Sequence, residues 1–394
     1  MGNTPIASLY RLIWVHAPNV LLKLDQRLTS GKLSTSLSRF GHYLMNDRHP
    51  TVVIFFLVVI SGSEIMYMPT AWPVISPFTK LTALIAIVLP YIFLYLACAA
   101  DPGYVTPESV ARHMSLYAYD YALFHPGKIC WTCKLPKPPR SKHCSICKHC
   151  VARADHHCIF INSCVGYGNH HWFLLLLLST AILTSYGAVL GLSILSADIR
   201  AHRPFWTLWP PSSPDLSWTR WLGIFSVGLR ANLGLGAATM LSLLITPLVW
   251  GFFLYSLYLV YCGTTTNETL KWSEFKEDMQ DGYAFGRRLP ASGRQRRDDR
   301  FEPAWTRWPA QPERILVTTS DGQPPRSEQQ IPGEGPWERV GSLNNVVNLY
   351  DLGFWNNLKD VFIQDYLFGS RVEEPLSERR RYERQARNDM RYPP

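Results

Sequence analysis

Charge is missing from long stretches of this 394-residue chain. Residues 81–100, 172–195 and 238–262 contain no Asp, Glu, Lys or Arg, and residues 52–68 contain only Glu64. A helix rises about 1.5 Å per residue, so about 20 residues cross a hydrocarbon core of about 30 Å. Four apolar runs of that kind, three of them uncharged, argue against the buried helices of a large soluble protein and predict a chain that crosses the membrane four times. No secretory leader is expected at residues 1–51. Residues 6–24 are apolar, but Arg11, His16 and Pro18 interrupt them, which fits an amphipathic segment lying on the membrane better than a fifth span.

The basic residues are as unevenly spread as the apolar ones. Residues 1–51 carry six Lys and Arg, the 101–171 loop eight, and the chain beyond 262 twenty, whereas the other two loops hold Lys80 alone and four arginines. Because Lys and Arg accumulate on the cytosolic side, both termini and the 101–171 loop are expected there. Trp206, Trp209, Trp218 and Trp221 then fall in the opposite loop, as an interfacial aromatic belt would. The formal net charge of +9 suits an anionic membrane face or an anionic ligand. The expected organisation is a cytosolic segment 1–51, two transmembrane helices in 52–100, a cytosolic domain 101–171, two further helices with a lumenal loop in 172–262, and a cytosolic tail 263–394.

Cysteine is nearly absent outside one segment: seven of nine lie between Cys130 and Cys164, with four histidines among them. A reducing cytosol disfavours disulfides, so these thiols read as metal ligands or nucleophiles. Structural zinc takes four ligands, commonly three Cys and one His. Two such sites need six Cys and two His; the segment offers seven and four, leaving one cysteine and two histidines over. The pairs Cys130/Cys133 and Cys144/Cys147 have the spacing of zinc knuckles. Cys158 is the odd one, directly after Asp155, His156 and His157. A thiol beside an imidazole held by a carboxylate is an arrangement that activates a nucleophile. Spacing alone leaves a second reading open, in which Cys158 is a seventh ligand or a buried thiol.

The segment from Cys130 to Cys164, with Asp155-His156-His157-Cys158, resembles the cysteine-rich domain of DHHC-type protein S-acyltransferases (palmitoyltransferases). The likeness extends to Asp101-Pro102-Gly103, to Thr265-Thr266-Asn267-Glu268 (a TTxE motif), and to "NLYDLGFWNNLKDVF" (348–362), in family order around the spans. It implies an α-helical polytopic membrane protein in which four transmembrane helices carry a cytosolic two-zinc domain between spans 2 and 3. One zinc would sit on Cys130, Cys133, His143 and Cys150, the other on Cys144, Cys147, His157 and Cys164. Cys158 would be the acyl-accepting nucleophile, His156 its base and Asp155 the orienter. The family's usual Pro-Trp after the motif cysteine is here Ile159-Phe160, from which altered acyl-chain or rate behaviour is expected. "KHCSICKHCVARADHHC" and the long basic tail look most like the fungal branch acting on SNAREs and other single-span proteins.

The resemblance implies transfer of a long-chain acyl group from palmitoyl-CoA, through Cys158, to juxtamembrane cysteines of client membrane proteins. The acyl chain is expected among the helices, and Lys137, Arg140 and Lys142 are candidates for the CoA phosphates; a solvated basic loop facing anionic lipid is the alternative. Zinc closed by four ligands is structural. Gly187 and Gly191 suit close helix packing or room for the acyl tail. In the tail, 283–340 reads as a disordered linker and 343–368 as an amphipathic helix carrying Leu349, Leu352, Trp355, Leu358, Val361 and Phe362, with a break at Gly353. By resemblance that helix and Asn348 brace the core against the TTxE segment. A charged end follows at 378–391.

A zinc scaffold that tethers partners at the membrane is the competing reading, and it needs no free thiol. A nucleic-acid binder does not fit, because no base-reading helix follows the cluster. The organelle is expected to be the endoplasmic reticulum, with the Golgi as the alternative; spans of about 20 residues lean toward a thin bilayer.

Overall fold

The computed structural model describes residues 15, 17–208, 216–289, 302–303, 305–326 and 331–368. Residues 1–50 with 145–147 make up one compact unit, and residues 51–144 with 148–394 the other.

In the first unit, helices α1 (Ala17–Thr29) and α2 (Lys32–Asn46) are joined at Ser30-Gly31, both at positive φ. Asp25 ties the corner, accepting the Ser34 N–H at 2.9 Å and the Thr29 hydroxyl. Pro18 lies in the first turn of α1, where its missing N–H costs nothing. Of the expected amphipathic segment 6–24, residues 6–14 and 16 lie outside the described residues. Leu21, Leu28, Leu33, Leu37 and Phe40 are all more than half exposed.

The second unit begins with α3 (Thr51–Ala71) and α4 (Pro77–Ala99). A small domain follows: β1 (Tyr104–Val105), α5 (Val110–Met114), and the short strands β2 (Lys142–Cys144), β3 (His149–Val151), β4 (His156–Cys158) and β5 (Ser163–Val165). The chain continues through α6 (His170–His202), α7 (Trp218–Ala231) and α8 (Leu233–Tyr261). Among the described residues, helices α3, α4, α6 and α8 are the four long and apolar enough to cross a membrane. Helices α6 and α8, at 33 and 29 residues, overrun the expected 20, so span length gives no argument for a thin bilayer.

Close packing joins α6 to α8. A Cβ on Gly191 would lie 2.0 Å from Thr239 Oγ1, so these backbones meet only because the side chain is absent. Gly187 is looser, 3.3 Å from Ser242 Oγ, and its carbonyl accepts the Tyr67 hydroxyl at 3.0 Å. The two glycines thus differ, since Gly191 sits in close packing while Gly187 lines a cavity between the spans. The loop before α8 departs from the expected aromatic belt. Trp206 is fully buried, stacked on Trp221 and Phe225 at 5.6 and 6.2 Å. Packing by helix α7 claims it, while Trp218 stays exposed and Trp209 lies outside the described residues.

After α8, helix α9 (Thr266–Gln280) leads into strands β6 (Ala284–Arg288), β7 (Arg314–Thr318) and β8 (Glu334–Arg339), an antiparallel sheet in the order β7-β6-β8. For the described residues this corrects the expectation of a disordered linker over 283–340. The segment is poor in bulky apolar residues on average, but the few it has are well placed. Phe285, Ile315, Leu316 and Val340 are buried, and Trp308 packs against Tyr117 and Tyr350 while donating to the Leu349 carbonyl. Helix α10 (Phe354–Phe362) is shorter than the apolar pattern suggested. Gly353, at φ 82°, starts it, and Trp355 is 72% exposed and off the buried stripe. Asn348 donates to the Cys262 carbonyl at 2.8 Å and Asn357 to that of Tyr261 at 3.1 Å. The tail thus clamps the end of α8, and Gly263 leaves room for Tyr350 and Asp351 to cross just before the TTxE segment. The charged end 378–391 lies outside the described residues.

Candidate active site and metal centres

The short ladders decide which side chains meet. In the β2–β3 pair His143 lies opposite Cys150, and in β4–β5 His157 lies opposite Cys164. Directly paired residues point to the same face of a ladder, and sequence neighbours point to opposite faces. His157 is therefore turned toward Cys164, while His156 and Cys158 share the other side. Nδ1 of His143 lies 3.6, 3.4 and 3.9 Å from the Sγ atoms of Cys130, Cys133 and Cys150. Nδ1 of His157 lies 3.7 Å from Sγ of both Cys144 and Cys164. The four donor atoms of each set, with Cys147 completing the second, fall within 4.8 Å of one another. A tetrahedral zinc with bonds of about 2.3 Å to sulfur and 2.0–2.1 Å to nitrogen has N···S edges of about 3.5 Å. Both sets fit that ion, and four ligands close each site.

The loop 101–103 leads from α4 into this domain. Asp101 Oδ1 accepts the N–H groups of Gly103 and Tyr104, both at 2.9 Å, and β1 then pairs with β3. On the far side Asn169 donates to the carbonyls of Ala97 and Cys164, pinning the ends of α4 and β5 to the start of α6.

Cys158 belongs to neither metal set. It is buried with Leu94, Ala97, Phe173 and Leu176, and Phe56 and Cys98 pack on the same cluster. His156 Nδ1 lies 2.6 Å from Asp155 Oδ2. Burial opposes charge on this imidazole, but hydrogen bonds with Asp155 and with the Cys158 thiol outweigh it and push its pKa up to about 10. Burial likewise opposes charge on Asp155, and the bond to His156 holds it well below the usual carboxylate range. The TTxE segment supplies further support. Thr265 caps α9 with a reciprocal bond from Glu268, a capping box legible in T-x-x-E. Thr266 donates its N–H and hydroxyl to the Asp155 carboxylate, at the helix end that favours negative charge.

Arg140 departs from its expected place. It is 1% exposed, with both arms on Glu268 at 2.7 Å, so its charge is already spent within the fold. Asp360 of α10 gathers Arg153 at 3.2 Å, Arg307, and the Tyr117 hydroxyl. Asp360 lies inside the 348–362 motif, but the sequence does not mark its partners, which lie more than 50 positions away. Lys137 and Lys142 remain outside this buried network. They are joined by Lys271, whose pKa burial and then the like charges of Lys137 and Lys142 lower. Lys271 was not legible because it arrives from the other side of two spans.

Residues 123–273 match the family model of the DHHC palmitoyltransferase domain. The chain is 52% identical, over 99% of its own length and 93% of the relative's, to palmitoyltransferase SWF1 of Neurospora crassa. The chain belongs to the DHHC palmitoyltransferase family. Palmitoyltransferase swf1 of Emericella nidulans is 40% identical over 91% of this chain and 90% of its own length. Palmitoyltransferase ZDHHC4 of Rattus norvegicus is 27% identical over 86% and 84%. As a DHHC palmitoyltransferase, the protein is a multi-pass membrane enzyme that S-acylates proteins from acyl-CoA and whose two Cys/His sets suit structural zinc.

Proposed function

We propose that Cys158 carries the acyl group between two transfers, with His156 as proton carrier and Asp155 as its orienter. The carrying observation is that His156 is held by Asp155 at 2.6 Å and shares a face of β4 with Cys158, which stands outside both metal sets. With its pKa near 10, His156 holds the shared proton before reaction. Sulfur of Cys158 attacks the thioester carbonyl, the C–S bond to CoA breaks, and His156 gives its proton to the departing CoA thiolate. The neutral imidazole then takes the proton of a client thiol, which attacks the acyl-Cys158 thioester and frees Cys158. Zinc, when bound, fixes the two knuckles, and the ladders hold His156 and Cys158 on the side turned away from it.

The acyl chain enters the cavity between the spans, which begins at Phe56 beside Cys158. Lys137, Lys142 and Lys271 meet the CoA phosphates. The active site faces the cytosol, where the Lys and Arg excess lies. Client cysteines then sit at that membrane edge, as in SNAREs and other single-span proteins, in the endoplasmic reticulum membrane with the Golgi as the alternative; resemblance to the fungal branch supports this last reading. Labelling with tritiated palmitoyl-CoA, comparing wild type with Cys158→Ser, tests the assignment. The hydroxylamine-sensitive adduct should vanish while zinc stays at two per chain. An unlabelled wild type, or loss of zinc in the variant, would favour the scaffold reading.

A further inference from the structure

A cavity of about 150 Å3 lies between α3, α4, α6 and α8. Its wall is almost wholly apolar, and most of its hydroxyls are already used. Ser63 donates to the Val59 carbonyl, Tyr67 to that of Gly187, and Thr184 to that of Thr180. Two oxygens on this wall differ. Glu64 Oε1 and Thr180 Oγ1 are buried without a hydrogen-bond partner among the described residues.

Neither is an accident of a free side chain. The other oxygen of Glu64 accepts the Tyr91 hydroxyl at 2.7 Å, and Tyr91 is held by Ser61 at 3.0 Å, so the carboxyl is fixed with one oxygen left over. A helical threonine ordinarily returns its hydroxyl to a carbonyl one turn back. Thr184, Thr239 and Thr246 do so; Thr180 does not. A carboxyl within a membrane span is costly and marks function more often than packing.

Their depth is informative. Phe56 and Leu176 pack in the Cys158 cluster. Glu64 lies eight residues beyond Phe56, about 12 Å along the helix, and Thr180 four beyond Leu176, about 6 Å. Both oxygens thus flank the middle of a long chain whose carbonyl is at Cys158. A saturated chain passing there leaves both oxygens unmet.

We propose that Glu64 and Thr180 form a polar subsite in the acyl cavity that selects long-chain acyl groups bearing a hydrogen-bonding function near mid-chain. A hydroxyl there would exchange full hydrogen bonds with the pair. A cis double bond would accept a weaker O–H···π contact. This rests on the reading that the chain occupies the cavity from Cys158.

The test uses the full-length protein in lipid nanodiscs and follows the hydroxylamine-sensitive adduct by intact mass. Palmitoyl-CoA competes in turn with its mid-chain hydroxylated and its cis-unsaturated analogues. Wild type should prefer the hydroxylated chain about tenfold over palmitoyl, and the unsaturated chain severalfold. Glu64→Met and Thr180→Val should bring both ratios toward one by raising palmitoyl loading, and Glu64→Gln should keep the preference. Should Glu64→Met fail to fold, Thr180→Val and Glu64→Gln still carry the comparison. Equal loading of all three donors by wild type, or a preference unchanged in Glu64→Met and Thr180→Val, overturns the subsite and leaves the acyl-enzyme reading standing. If no donor labels wild type, the acyl-enzyme reading and the subsite fall together.

Discussion

Thr266 grips both carboxylate oxygens of Asp155, its backbone N–H at 2.7 Å from Oδ1 and its hydroxyl at 3.0 Å from Oδ2. The residues are 111 positions apart, and α6, α7 and α8 lie between them in the chain. The helix that carries Thr266 therefore fixes the orientation of the group that in turn fixes His156. Replacing Thr266 by Val removes the hydroxyl and keeps the backbone bond. Acyl-adduct formation should fall about tenfold, the worth of one hydrogen bond to a charged group, with zinc at two per chain. Thr266→Ser should restore most of the rate; full activity in Thr266→Val would show that the hydroxyl does not position Asp155.

Adjacent histidines should behave oppositely. The pleat turns His157 to Cys144 and Cys164 and His156 to Asp155 and Cys158. His156→Ala is expected to keep two zinc ions, measured by mass spectrometry of the metal, and to lose the acyl adduct. His157→Ala is expected to lose zinc from its site and to melt at lower temperature, since a closed structural site contributes folding energy outright. Equal zinc content in both variants would break the assignment.

Asp120 is a buried carboxyl whose Oδ1 accepts the N–H groups of Ala122 and Phe124, while Oδ2 has no hydrogen-bond partner among the described residues. Burial pushes its pKa up to about 6. A carboxyl raised in the folded state binds its proton more tightly there than in the unfolded chain. Its contribution is fully present below pH 3.8 and is lost as pH rises through 6. Asp120→Asn keeps an acceptor at Oδ1 and removes the charge. It should stabilise the protein at pH 7 by up to about 3 kcal/mol, the gain shrinking to nothing near pH 4. Thermal melts of both proteins in detergent across that range check the sign.

Much of the site could be read from the cysteine spacing and the flanking motifs, because metal ligation and capping are local and leave regular marks. The arithmetic of seven cysteines leaves one over without separating His156 from His157; the resemblance separates them, and the pleat of β4 gives the physical reason. Arg140 looked available because a basic loop gives no hint of Glu268, 128 positions on. Asp360 sits in the 348–362 motif with no sign of its partners, since Arg153 and Arg307 are brought to it by the packing of α10. Strands β6 to β8 were hidden by averaging: a stretch rich in Arg, Pro and Gln needs only Phe285, Leu316, Trp308 and Val340 at the right places to form a core.

The glycine pair in α6 was legible as a pair but not in its division of roles, and that division gives the last expectation. A Cβ at Gly191 would lie 2.0 Å from Thr239 Oγ1 and 3.0 Å from its Cβ and Cγ2. Thr239 is wholly buried, and its hydroxyl is held on the Leu235 carbonyl at 2.7 Å, so it cannot turn aside cheaply. Gly191→Ala should therefore cost about 1–3 kcal/mol, the usual penalty of overpacking, and lower the melting temperature in detergent. Thr239→Ala removes the two outer atoms of the clash and leaves its Cβ 3.0 Å away. The double variant should consequently be more stable than Gly191→Ala alone, a non-additivity expected only of residues in contact. Gly187→Ala meets nothing closer than 3.3 Å, at Ser242 Oγ, and should melt near wild type. If Gly191→Ala and Gly187→Ala melt alike, α6 and α8 do not meet at Gly191 as closely as the structure places them.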